Sequence, residues 1–157
     1  MKKSYKIKYY ILGMSVIIIF IALYGVIKQK DVSISQINAS VVSNTDVKVM
    51  DKGDSSKLRK LYYINKSEVE DFVLYAPKNN MESNEILIIK AKSKGDMKDL
   101  KSKIQKRIDK QSDSFKSYRP EEYKIISKHV LEEKNQYIIL IISKDVQKIE
   151  ESVNKIF

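Results

Sequence analysis

His129 is the single histidine of the chain, and the acidic pair Glu121-Glu122 stands a few positions before it. A histidine activates a serine only when a carboxylate orients its ring, and the fold must bring all three groups together. Serines are plentiful, but no Gly-x-Ser-x-Gly elbow presents one. A hydrolase or transferase therefore has only Glu121, Glu122 and His129 to draw on for its acid and base. Metal chemistry has less support: there is no cysteine, no His-Glu-x-x-His and no Asp-x-Asp-x-Asp-Gly loop. The pairs Glu121-Glu122, Glu132-Glu133 and Glu150-Glu151 are adjacent residues, which on a helix point about 100° apart rather than at one substrate. They read as solvated surface. With four glycines in all, two of them in an N-terminal apolar run, no phosphate-cradling loop can be drawn. No catalytic, cofactor-binding or metal-ligating residue is assigned on these grounds.

Binding has better material. The chain carries 30 Lys and Arg against 20 Asp and Glu, a net charge of +10, and only Arg59, Arg107 and Arg119 are arginines. Lysine is a hydrated point charge, whereas arginine is suited to planar, bidentate recognition. The periodic stretch from Asp96 to Phe115 displays Lys98, Lys101, Lys103, Lys106, Arg107 and Lys110 beside its apolar stripe. Lys103, Lys106, Arg107 and Lys110, with Tyr118, Arg119 and Tyr123 just beyond, form the candidate partner-binding set. A charge run on a helix is also an ordinary solvated face, so this set is an expectation about an anionic partner and not a motif. Nucleic-acid recognition needs arginine or a recognised motif besides charge; the chain has only three arginines and no such motif, and export of the domain would remove access to cytoplasmic DNA.

These residues must be positioned by elements that the pattern makes visible. The stretch "KYYILGMSVIIIFIALYGVIKQK" contains 19 uncharged residues, Tyr9–Ile27, about 28 Å of helix and enough to span a bilayer core. Tyr9, Tyr10 and Tyr24 sit near its ends, as interfacial rings do. Lys2, Lys3, Lys6 and Lys8 precede it, so the positive-inside bias keeps the N-terminus in the cytoplasm and exports the remainder. A cleaved signal peptide is the competing reading. It normally has a shorter apolar core and a small-x-small site directly after it, and neither fits well. A soluble helix would need a polar face that "SVIIIFIALYGVI" lacks. The expected organisation is a basic cytoplasmic tail (1–8), a single-pass anchor (9–27), a stalk with a possible short helix (28–54) and an extracytoplasmic domain (55–157). Residues 28–157 retain 26 basic and 20 acidic side chains, so the exported part is itself basic.

In the domain, Ser55 or Ser56 caps a short helix with Leu58, Leu61 and Tyr62 on one face. "VEDFVLYAP" alternates like a strand, and "NEILIIKAK" has the four-aliphatic run of a strand buried on both faces. Met97, Leu100, Ile104, Ile108 and Phe115 recur at helical spacings of three, four, four and seven. "YKIISKHVLEE" predicts a strand that includes His129, "KNQ" a turn and "YIILII" another strand. Ser143 caps a last helix, "KDVQKIEESVNKIF", with Val146, Ile149, Val153 and Ile156 on one face. In "KQSDSFKSYRPEEYKII" the residue before Pro120 disfavours helix, so the long helix stops at "SYRP"; Pro120, Glu121 and Glu122 suit a new helical turn. That stretch reads as a structural corner. The order β-β-α-β-β-α, after two short helices, predicts an α+β two-layer sandwich with an antiparallel sheet and helices over one face.

The segments "LRKLYYINKSEVEDFVLYAP", "EILIIKAKSKGDMKDLKSKIQKRIDKQSDSFKSYRPEEYKII" and "NQYIILIISKDVQKIEES", spanning Ser55–Ser152, resemble domain-of-unknown-function family 4358 of Firmicutes membrane-anchored proteins and lipoproteins. "KQSDSFKSYRPEEY" is the most specific piece. Relatives often carry a lipobox cysteine and a glycine at the place of Gln136, and this chain has neither. The resemblance implies attachment at the cell envelope and brings no catalytic residues. The expected function is that of a non-enzymatic, membrane-anchored extracytoplasmic domain binding another envelope component, a protein or an anionic polymer or lipid. An envelope-acting hydrolase or transferase is the alternative, and a cytoplasm-facing basic binding domain is the third reading.

Overall fold

The structure is a computed structural model that describes residues 9–20 and 32–157. It divides into two compact units, Met1–Asp31 and Val32–Phe157. In the first, α1 (residues 9–20) is helical and its side chains are exposed, Ile11, Ile17 and Phe20 among them. Among the described residues no helix is long and apolar enough to cross a membrane. The basic tail and residues 21–27 of the expected span lie outside the described residues.

The second unit begins with α2 (Ile34–Asn44), whose N-terminus is closed by a capping box: Gln36 N–H donates to Ser33 Oγ, and Ser33 N–H donates to the Gln36 side chain. A short strand, β1 (Met50–Gly53), leads into α3 (Ser55–Tyr62), capped by Asp54 instead of either expected serine. Tyr63, in the left-handed region at φ 56°, ends α3. Then follow β2 (Val69–Pro77), β3 (Glu85–Ala91) and the 20-residue α4 (Met97–Lys116). The chain closes with α5 (Pro120–Ile126), β4 (Val130–Lys134), β5 (Tyr137–Ile142) and α6 (Val146–Asn154).

All strand pairings are antiparallel, in the order β1-β2-β3-β5-β4. The four expected strands are joined by β1, formed by residues within the expected stalk. Gly53 faces Leu74 so closely that a Cβ at this position would lie 2.6 Å from Leu74 Cδ2.

The two-layer expectation is corrected: helices cover both faces of the sheet, giving three layers. The cause is visible in β3 and β5, whose alternate side chains are apolar in both directions. Leu87, Ile89, Ile138 and Leu140 pack with α3, α4 and α5, while Ile86, Ile88, Ile139 and Ile141 pack with α2 and α6. A sheet buried on both sides needs two helical layers. Ile37 and Val41 of α2, assigned above to a stalk region, are fully buried in the second core. Met97, Leu100, Ile104, Ile108 and Phe115 of α4 are buried as their spacing predicts, each large aliphatic contributing about 1.5–3 kcal/mol by leaving water.

A second correction concerns "YKIISKHVLEE". Its first half is the end of α5 and only its second half is β4, so His129 precedes the strand. Pro120 at the first turn, followed by Glu121 and Glu122, starts a helix that buries Ile125 and Ile126; those contacts outweigh the β-propensity of the two isoleucines. The last helix likewise starts at Val146, and Ser143 Oγ instead accepts from Asp145 N–H at 3.2 Å.

Candidate functional site

The residues that structure the centre of the first face are charged. Alternation along β3 sends Glu85 to the same side as Leu87 and Ile89, where it is wholly buried against α3 and α4. A buried carboxylate requires partners for both oxygens. Glu85 has four donors: Tyr62 O–H and Arg107 Nε (3.3 Å) on Oε1, and Arg107 Nη2 (2.7 Å) and Gln111 Nε2 (3.0 Å) on Oε2. These match the roughly four lone-pair positions of a carboxylate. Tyr62 comes from the last turn of α3, and Arg107 and Gln111 are four apart on α4, hence on one helical face.

Neither titratable neighbour is poised for proton transfer near neutral pH. Burial, then the Glu85 charge, raises the Tyr62 hydroxyl well above its usual 10.0. Burial works against the Arg107 cation, but the hydrogen bonds and charge of Glu85 outweigh it and raise its pKa further. The cluster is an anchor for a fixed cation, not an acid-base pair.

Above it lies a cavity of about 450 Å³ between α3, the β2–β3 connection and α4. Its wall carries the cations Lys57, Lys60, Lys78, Arg107 and Lys110, with Glu82 the single carboxylate among the lining residues. Leu61, Pro77 and Phe115 supply apolar surface, and Gln111 closes the side near Glu85. Lys57 pairs with Asp51 at 3.1 Å and Arg107 with Glu85. Lys60, Lys78 and Lys110 make no ion pair among the described residues, and all three are exposed. The groove wall is therefore predominantly cationic.

The structure brings only part of the expected set here. Arg107 and Lys110 line the groove. Lys103 is bound instead by Glu68 and by Asp99 at 3.0 Å. Lys106 is exposed on α4 outside the groove lining, and Tyr118 is exposed beyond its end. Arg119 lies 3.9 Å from Glu122, and Tyr123 packs partly buried against the core. Sequence reasoning missed Glu85, Gln111, Tyr62, Lys60 and Lys78.

The residues available to an enzyme are placed otherwise. Glu122 Oε2 accepts from Ser83 N–H and Oγ–H at 2.9 and 2.7 Å, latching α5 to the β2–β3 connection. Glu121 and Glu122 line a recess with Lys124, Lys128, Ser143 and Lys144, in which His129 does not take part. His129 Nδ1 is 2.8 Å from the Ile126 carbonyl, a contact within its own turn. Among the described residues no group of three or more His, Asp or Glu side chains is arranged to hold a metal ion.

No curated protein and no solved structure is significantly similar to the chain. One family model matches residues 43–143, a stretch that starts twelve residues before the resemblance noted above and ends nine before its limit. It contains β1 through β5, the groove and every partner of Glu85. With the match covering well over half its length, the chain belongs to the family described as Domain of unknown function (DUF4358).

Proposed function

We propose that the protein is a non-enzymatic module, tethered to the membrane by its N-terminal segment and facing outward, that binds an anionic component of the cell envelope in the α3–α4 groove. The observation that carries this reading is the trio Lys60, Lys78 and Lys110, three cations without ion-pair partners among the described residues, converging on one cavity over a fixed Arg107. Same-sign charge lining a cleft concentrates counter-ions there, an attraction that salt screens. Support for the tether comes from the uncharged run Tyr9–Ile27 behind four lysines, and from the outward apolar side chains of α1.

Two experiments test the two halves. A protease added to intact protoplasts degrades residues 31–157; full protection overturns the outward orientation and leaves a cytoplasm-facing basic domain. Crosslinking of the full chain in native membranes captures an envelope component that the triple variant Lys60→Gln, Lys78→Gln, Lys110→Gln loses. Capture unchanged in the triple variant removes the groove from the proposal. The enzyme alternative needs Glu121, Glu122 and His129 in one cleft, and Glu122 is already engaged by Ser83.

A further inference from the structure

A second cationic recess adjoins the α3–α4 groove. It has a volume of about 350 Å³, is formed by α5 and the residues just after β5, and presents Lys124, Lys128 and Lys144. None of the three makes an ion pair among the described residues, and all are exposed. Glu121 and Glu122 share the wall, but Glu122 already accepts both the N–H and the Oγ–H of Ser83. The same contact joins the two recesses, because Ser83 follows Glu82, which lines the groove, and Glu122 lines the recess. Lys60, Lys78 and Lys110 on one side and Lys124, Lys128 and Lys144 on the other thus flank a single latch.

This end of the sheet is not the end at which the chain enters. β3 runs from Glu85, in register with Ile142, to Ala91, whose N–H donates to the Gln136 carbonyl in the β4–β5 turn; six residues of strand cover about 20 Å. The folded unit begins at Val32, and its carbonyl accepts from Tyr137 O–H, the first residue of β5. The entry end also differs in charge, since the recess that contains Lys92 is lined by Glu68, Asp96 and Asp99. Six lysines without ion-pair partners therefore gather at the end away from Val32, where a partner outside the tethering bilayer has access.

We infer that this end binds a linear polyanion, a flexible polymer with a negative group on each repeat, running from the α3–α4 groove over the Ser83–Glu122 latch into the second recess. A small anion meets the lysines of one recess; a chain of repeated charges meets both, and linked sites gain affinity without any new kind of contact. This rests on the anion-binding reading proposed above and adds a second site and the class of partner.

The test uses the full chain in phosphatidylcholine nanodiscs, titrated by calorimetry with poly-L-glutamate and polyphosphate of about fifty units, and with the trimer of each. Affinities are compared per monomer, so that chain length alone confers no advantage. The polymers are expected to bind about a hundredfold more tightly than their trimers. The variant Lys124→Gln, Lys128→Gln, Lys144→Gln removes most of that gain and leaves the trimers bound in the groove. Lys60→Gln, Lys78→Gln, Lys110→Gln weakens polymers and trimers together, and Lys92→Gln, Lys94→Gln, Lys155→Gln, which deletes three exposed charges elsewhere, preserves the gain. A full gain in the Lys124, Lys128 and Lys144 variant overturns the second site and leaves the groove standing. Equal losses in all three variants overturn the inference, because binding then follows net charge alone. Absence of binding by every probe overturns the inference together with the anion-binding reading. Displacement of the polymers by phosphatidylglycerol in the nanodiscs overturns the polymer assignment in favour of a headgroup surface, and undiminished polymer binding there supports it.

Discussion

The two faces of the sheet are built from the same strands, and β3 supplies both: Glu85, Leu87 and Ile89 look toward α3 and α4, Ile86 and Ile88 toward α2 and α6. The second face is closed by aliphatic side chains and two tyrosines, whose hydroxyls donate to Asn38 Oδ1 at 3.0 Å and to the Val32 carbonyl at 2.8 Å. The first face encloses a carboxylate and a guanidinium in the same kind of layer. The α2–α6 layer demonstrates that apolar residues suffice to cover this sheet, so covering it does not call for Glu85 and Arg107. What the charged cluster adds is a fixed position for Arg107 and Gln111 beside the groove. Buried ion pairs often add little net stability over well-packed apolar residues, which separates what the pair does for folding from what it does for the site.

The largest effects test that separation. Glu85→Ala leaves Arg107 and Tyr62 unpaired and is expected to cost about 3–5 kcal/mol in urea denaturation. Ile88→Ala on the opposite face removes packing alone and costs about 2–5 kcal/mol. A quadruple variant, Tyr62→Phe, Glu85→Leu, Arg107→Met and Gln111→Leu, removes every member of the cluster at once. It recovers most of the stability lost in Glu85→Ala, while any anion binding carried by Lys60, Lys78 and Lys110 is weakened by the loss of the Arg107 charge. A quadruple variant as unstable as Glu85→Ala would show that the charged face cannot be replaced by one built like the other.

The same contrast explains what was legible in the sequence. Period-two alternation reveals β2, continuous aliphatic runs reveal β3 and β5, and period-3.6 spacing reveals α4, because aliphatic burial follows the backbone geometry and, in β3 and β5, occurs on both faces. Glu85 was invisible, since a single glutamate at the start of "NEILIIKAK" is indistinguishable from a residue at a strand's exposed edge. One signal did exist: the apolar stripe of α4 skips from Ile108 to Phe115, seven residues, and the turn between them must also face the core. Gln111 fills that gap, buried. A polar residue at a required core position demands a polar partner. The second helical layer is not legible because α2 buries just Ile37 and Val41, with Ile34 half-buried beside them, too few to distinguish a docked helix from a stalk. The first turn of α5 is legible in Pro120, Glu121 and Glu122, but its second half reads as strand because its isoleucines find their partners only in the tertiary fold.

Intermediate effects come from the hydroxyls. Tyr62→Phe removes a donor to a buried carboxylate and should cost about 1.5–3 kcal/mol, whereas Tyr75→Phe removes a hydrogen bond to the neutral, partly buried Asn38 and should cost about 0.5–1.5 kcal/mol. Coupling sharpens the point. In a double-mutant cycle Tyr62→Phe should lose most of its effect in a Glu85→Leu background, because the two groups share one network. Additive costs would mean that Tyr62 acts through ring packing, as the aliphatics of the other face do.

The smallest effects have opposite signs on the two sides. Toward α4, the hydrogen bond from Lys103, and then those from the Asn65 backbone and side chain, lower Glu68 from its ordinary 4.5 to about 2. Toward α6, the hydrogen bond with Glu132, and then burial, raise Glu150. A lowered folded-state pKa stabilises above the ordinary value and loses that contribution as pH falls, here from about 4.5 to about 2. A raised one stabilises below the ordinary value and loses its contribution as pH climbs through the folded-state value. At pH 7, then, Glu68→Gln should lower stability and Glu150→Gln should increase it, each by about 0.5 kcal/mol, as befits partly exposed groups. Urea midpoints measured from pH 7 down to pH 2 should show the Glu68→Gln deficit shrinking toward the acid end, and the Glu150→Gln gain vanishing as Glu150 of the parent protein takes up its proton. Changes of the same sign at pH 7 would mean that the two carboxylates do not sit in the opposed environments that distinguish the two faces.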